Sequence, residues 1–231
     1  MEYKTELHCH TSEFSGCSDT PGAEAVEKYI ANGYTTVVLT NHFVCGARGY
    51  SDHAELCHAF YEAADVMRRA AGGRLCVLTG AEVCFKENGN DYLVFGMTEQ
   101  MATEMTDLFD MGVRAFHEAV KDKGVLVVQA HPFRFGQVMT NPSYVDGIEV
   151  FNGHFGWYSH NELAHTWASM WMEKYNRDFI LTSGSDHHYR TQKPVGGIVT
   201  NTPITTNEEL VSALRSHSYR RLSQSLGEHD I

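Results

Sequence analysis

The chain predicts an α/β fold, a closed barrel rather than an open doubly wound sheet, on three observations. Short apolar runs recur along its 231 residues, helical patterns with recognisable ends separate them, and no G-x-G-x-x-G follows the first strand. With no linker rich in Pro, Gly or Ser and no internal repeat, residues 1–231 read as one domain.

After a first strand that leads into "LHCH", the runs are "TTVVLT" (Thr35 to Thr40), "LCVLTG" (Leu75 to Gly80), "YLVFG" (Tyr92 to Gly96), "VLVVQA" (Val125 to Ala130), "GIEVF" (Gly147 to Phe151), "FILTS" (Phe179 to Ser183) and "GGIVT" (Gly196 to Thr200). Their nearly continuous apolar character predicts a mostly parallel sheet covered on both faces. Between them, Thr20 is placed to cap a helix with Pro21 in its first turn and Gly33 as its stop. Asp52 to Ala71 reads as a helix ending at Gly72-Gly73, and Leu108 to Lys121 as another with Phe116 and Val120 one turn apart. Thr206 and Glu209 form a capping box for the last.

A formal net charge of -11 gives a field that repels a polyanion held along an extended surface, so duplex nucleic acid is not an expected partner. A small anionic substrate stays open, because bound divalent cations reverse the field locally. All six cysteines lie in the first 84 residues without a C-x-x-C pair, and disulfides are not expected. "MEYKTELHCH" lacks the apolar stretch of a signal peptide and no run approaches a membrane span, so the expected compartment is the cytoplasm.

The informative feature is where ligand-type side chains fall. His8 and His10 leave the first strand, His42 follows "TTVVLT", Glu82 follows "LCVLTG", and His131 follows "VLVVQA". His154 follows "GIEVF", and Asp186 with His188 follow "FILTS". In a parallel barrel these strand ends meet on one rim. With 14 histidines in the chain, one H-x-H pair carries little weight, whereas six strand ends bearing His, Glu or Asp do. Imidazole and carboxylate donors suit Zn, Mn or Fe, and their number implies two or three metals, with Glu82 suited to bridge a pair.

The order "ELHCHT", "LTNHF", "TGAEV", "AHPFR" and "GSDHH" resembles the PHP (polymerase and histidinol phosphatase) superfamily of metal-dependent phosphoesterases, across nearly the whole chain. The closing "VGGIVTNTPITTNEELVSALRSH" is also similar to that family's last strand and helix. The resemblance implies a distorted seven-stranded barrel with up to three divalent transition metals at its C-terminal mouth. It makes His8, His10, His42, Glu82, His131, Asp186 and His188 the metal ligands, with His187 as a spacer.

Three positions depart from the family pattern. After H-x-H, where relatives carry Asp or His, "SEFSGCSD" offers Glu13, Cys17 or Asp19. Asp91 in "DYLVFG" stands where many relatives have a histidine, and is read as its replacement, with His117 as a rival better explained by a solvated helix face. Asn41 replaces the commoner Asp before His42, weakening any basic role there.

The expected reaction is hydrolysis of a small phosphate ester by a hydroxide generated between two cations. Arg134 and Arg190 rank above Lys193 and Arg48 as phosphate partners, because a guanidinium grips two oxygens at once. His154 and His160 are candidates to protonate the leaving group, and Phe155, Trp157 and Tyr158 between them read as packing residues or as a substrate-covering lid. The rival readings are hydrolysis of an amide, exonuclease action on oligonucleotides, and a non-catalytic metal-binding module.

Overall fold

The computed structural model describes residues 1–154 and 159–223. Seven strands form the ring: β1 (Tyr3–Cys9), β2 (Tyr34–Leu39), β4 (Cys76–Cys84), β5 (Asp91–Phe95), β6 (Leu126–Gln129), β7 (Gly147–Asn152) and β8 (Ile180–Gly184), neighbours in that order. The two-residue β3 (His42–Phe43) pairs with β4, while β9 (Ile198–Thr200) and β10 (Arg220–Arg221) extend the sheet outward from β1.

Past the end of β8 the chain turns to the first strand, and Cys9 and His187 form a parallel bridge. The His10 amide donates to the His187 carbonyl at 2.9 Å, and the His187 amide to the His8 carbonyl at 3.3 Å. These bonds nearly close the barrel. The seam therefore runs through "LHCH" and "GSDHH".

The sheet is mixed rather than mostly parallel. Pairs β1–β2, β2–β4, β6–β7 and β7–β8 are parallel, but β5 is antiparallel to both β4 and β6, and β9 is antiparallel to β1 and β10. The reason is chain length: only residues 85–90 join β4 to β5, enough for a hairpin and too few for a parallel crossover. Reversal puts the start of β5 at the rim where β4 ends, with Asp91 opposite Cys84.

Alternate side chains reach different cores, as strand geometry requires. Val38, Leu78, Leu93 and Val128 pack with Leu210, Val211 and Leu214 of helix α6 (Asn207–Arg215). Val37, Leu39 and Val77 pack instead with Val26 and Tyr29 of α1 (Gly22–Ala31) and Met67 of α2 (His53–Ala71). A third cluster joins Phe43, Phe60, Phe85, Tyr92 and Phe116, the last from α4 (Gly112–Val120). Helices α3 (Glu99–Glu104) and α5 (Asn161–Tyr175) complete the outer layer.

Helix ends follow the sequence except at two places. Asp52 caps α2 by accepting from the Glu55 amide, Gly72 ends it in the left-handed region, and Thr206 with Glu209 closes the capping box of α6. Thr20 does not cap α1; the Glu13 carboxylate accepts from the Gly22 amide at 2.8 and 3.0 Å, and the Thr20 hydroxyl donates to the His188 carbonyl. α4 begins at Gly112 rather than Leu108, where the Glu87 carboxylate accepts from the Val113 amide. His117 is buried rather than solvated, with Nε2 3.5 Å from Oδ1 of Asp146. Among the described residues no helix is long and apolar enough to cross a membrane.

Candidate metal centre

Glu82 lies within β4, one face of which ends at the mouth of the barrel, and β3 exists to pair His42 directly opposite it. Its two carboxylate oxygens face different imidazoles. Oε1 is 3.0 Å from Nε2 of His131 and 3.3 Å from Nε2 of His8; Oε2 is 3.0 Å from Nδ1 of His42 and 3.3 Å from Nε2 of His10. Asp186 gathers a second set around Oδ1, with His8 and His10 each at 3.3 Å and His188 at 3.2 Å.

Asp91 joins from the reversed strand, its Oδ2 4.0 Å from Nε2 of His131 and held by the Gln137 side chain at 3.0 Å. Three donor atoms come within 4.8 Å of one another in five combinations: His8, His10 and Glu82; His8, His131 and Asp186; His10, His42 and His188; His42, Glu82 and Asp91; and His154, Asp186 and His188. His154 thus enters the cluster itself, its Nδ1 3.1 Å from the Asp186 carbonyl.

Charge is balanced through these contacts. Burial raises the cost of ionising Glu82 and Asp186, yet the surrounding imidazoles outweigh it and hold both carboxyls well below their ordinary range. Burial likewise opposes a charge on His188, but the Asp186 carboxylate and the Cys17 thiol pull it up to about 10; His8 and His42 are also raised. His10 goes the other way, lowered by burial and by His188 beside it.

Four atoms facing this cluster, His8 Nε2, His10 Nε2, Glu82 Oε2 and Asp186 Oδ1, are buried without a hydrogen-bond partner among the described residues. Buried polar groups are normally satisfied, so convergent orphans of both donor types fit divalent cations. Backbone strain points to the same place. Asp186 and His131 both have positive φ, 47° and 24°, which costs on the order of 1–3 kcal/mol each and recurs at functional sites.

The peripheral candidates separate. The Cys17 thiol is exposed at the mouth, and although partial burial pushes it up, His188 and His42 beside it bring it down to about 6. Glu13 is spent on the N-terminus of α1, and an Asp19 carboxylate oxygen accepts from the Arg190 amide. Arg134 reaches the centre, donating to Asp186 Oδ2 at 2.7 Å and Asn152 Oδ1 at 3.0 Å. Arg190 is turned away, its Nε on the Asp19 carbonyl and 3.2 Å from Glu24. His160 opens α5 half exposed, 3.7 Å from Glu162, while Phe155, Trp157 and Tyr158 lie outside the described residues.

Two buried acids outside the ligand list support the centre. Glu6 accepts from the amides of Leu7 and His8, where the register of β1 shifts, and across the seam from the Ser185 amide. Glu149, in "GIEVF", meets His8 Nδ1 at 2.9 Å and the His131 amide at 3.1 Å. The available signal for both was an acid inside an otherwise apolar strand, which needs a buried partner.

A family model for the PHP domain matches residues 6–226. A search of curated proteins found no match. Among solved structures, PsfC from Pseudomonas syringae PB-5123 is similar, with a TM-score of 0.69 and 16% identity over 97% of this chain and 92% of that one. A two-domain protein containing a predicted PHP-like metal-dependent phosphoesterase from Bacteroides vulgatus ATCC 8482 gives 0.65 and 16% over 97% of this chain, which spans 65% of that chain. The lesion-specific endonuclease PfuEndoQ from Pyrococcus furiosus gives 0.63 and 14% over 96% of this chain and 58% of that one. At these identities the likeness to solved structures is one of fold.

Proposed function

This chain belongs to the PHP domain family, a family of metal-dependent hydrolases, and from that premise we propose that it is a phosphoesterase acting on a small phosphate ester at the barrel mouth. The observation that carries the reading is the divided environment of Glu82: one carboxylate, each oxygen facing its own pair of imidazoles. A carboxylate so placed suits a bridge between two cations better than a single tetrahedral ion.

His8, His131 and Asp186 would hold one ion, and His42 with Asp91 and Glu82 a second, Glu82 also meeting His8 and His131 of the first. His10 and His188, with His42 and Cys17 beside them, would hold a third. Divalent Zn, Mn or Fe supplies a Lewis acid for the phosphoryl oxygens and makes water a nucleophile near neutral pH. The remaining work falls to the chain. Arg134 stands beside Asp186 with its buried Nε lacking a hydrogen-bond partner, so the guanidinium has a donor left for a phosphate oxygen. His154 and His160, at the two ends of the 155–158 segment, are the candidates to give the leaving oxygen its proton.

The net charge of -11 argues against a long polyanion, which leaves a small ester as the favoured substrate. The test is elemental analysis of protein purified without chelator, then release of phosphate and of ammonia from ester and amide panels with each metal restored. At least two metal equivalents per chain and phosphate release are expected. Fewer than two equivalents, with no rescue by added metal, would overturn the reading, and ammonia release alone would move it to amide hydrolysis.

A further inference from the structure

The Glu149 side chain is fully buried in the middle of β7 and bears no position in the donor groups around the mouth. Nonetheless it touches two of the motifs that supply them and reaches a third through Asn152. Oε1 lies 2.9 Å from Nδ1 of His8, on the ring edge opposite the unpartnered Nε2. Oε2 accepts from the backbone amide of His131 at 3.1 Å and from Nδ2 of Asn152 at 2.9 Å. Asn152 in turn donates to Oδ2 of Asp186 at 3.1 Å, the oxygen that Arg134 also holds. Asp186 Oδ1 is thereby left toward the imidazoles.

Room for this arrangement is reserved in the backbone. A Cβ at Gly184 would collide with the His8 side chain and stand 2.6 Å from Glu149 Oε1. The glycine before Ser185 and Asp186 lets His8 and Glu149 meet under the seam.

We propose that Glu149 is a positioning residue for the metal centre, fixing His8 so that Nε2 carries the lone pair and, through Asn152, fixing which oxygen Asp186 presents. The inference rests on the metal reading above. A carboxylate accepting from Nδ1–H settles the ring's tautomer and plane and raises its basicity as a ligand. Neutral Gln at this position keeps the volume and the contacts to His131 and Asn152 but loses the carboxylate.

Zinc affinity, read by chelator competition in wild type, Glu149→Gln, His8→Ala and the double variant, tests it. Glu149→Gln is expected to weaken binding by about tenfold to a hundredfold. Combined with His8→Ala it should add little, because both changes remove the same interaction. A merely structural acid would lower the melting temperature of the metal-free protein without this non-additivity. Affinity unchanged in Glu149→Gln, or losses that add fully, would overturn the role of Glu149 while leaving the metal centre standing; wild-type protein that binds no zinc would overturn both. Should Glu149→Gln fail to fold, nitrogen-15 resonances of zinc-loaded wild type decide: His8 protonated at Nδ1 is expected, and His8 ligating through Nδ1 would refute the proposal.

Discussion

His42 stands directly opposite Glu82 in the short parallel pairing of β3 with β4, its Nδ1 3.0 Å from Oε2 of the carboxylate. The pairing sets the side chains of two distant motifs against each other before any ion is considered. If Glu82 bridges, Glu82→Gln should lower bound metal below two equivalents and reduce turnover by about 10³-fold, since several kcal/mol of charge stabilisation would be lost. Elemental analysis beside a phosphatase assay checks it; full metal with near-normal turnover would rule out the bridge.

Metal loading should release protons. His188 titrates at about 10 in the metal-free protein and His8 and His42 are raised too, so at pH 7 these rings are charged and must deprotonate to serve as ligands. Apparent affinity should therefore fall as pH drops. Calorimetric titration with zinc in buffers of different ionisation enthalpy should report more than one proton per chain, and no dependence on buffer would count against it.

The same shift gives metal-free protein a pH-dependent stability with a definite sign. A histidine at 6.5 when unfolded and about 10 when folded contributes stability that is complete below pH 6.5 and lost as pH rises toward 10. Cys17, lowered to about 6, opposes this between pH 6 and 9, but His8 and His42 are raised as well, so denaturant melts of chelator-treated protein should weaken across that window. Metal-loaded protein, in which the ion replaces the proton, should not follow that decline.

Cys17 offers a chemical probe of the mouth. With its thiol near 6, it is largely thiolate at pH 7.5, so iodoacetamide should label it several-fold faster than Cys45 in metal-free protein. Added zinc should protect it if it is a ligand. Mass spectrometry of the labelled peptides reads both outcomes, and equal labelling with and without zinc would remove Cys17 from the proposed ligand set.

Gly184→Ala should be costly although it adds one methyl group. The new Cβ meets His8 and Glu149, a crowding that costs about 1–3 kcal/mol in a well-packed interior and displaces the first ligand. Thermal unfolding together with zinc affinity should both suffer; a wild-type melting temperature would show that the seam can relax.

Much of this protein was already determined by its linear sequence. Apolar runs marked the ring strands, and His8, His10, His42, Glu82, His131, Asp186 and His188 stood at or beside their ends, because strand character and ligand chemistry are local properties of the chain. Tertiary structure alone decided the rest. The hairpin reversal of β5 carried Asp91 to the rim from the start of a strand; Glu13 was drawn off to cap α1, Arg190 to Asp19 and Glu24, and Arg134 inward to Asp186. Glu149 is an acid in an otherwise apolar strand, and only folding brings its partner His8 to it. The physical reason is that strand direction and the partner of a buried charge depend on groups brought together through space, which periodicity along the chain does not encode.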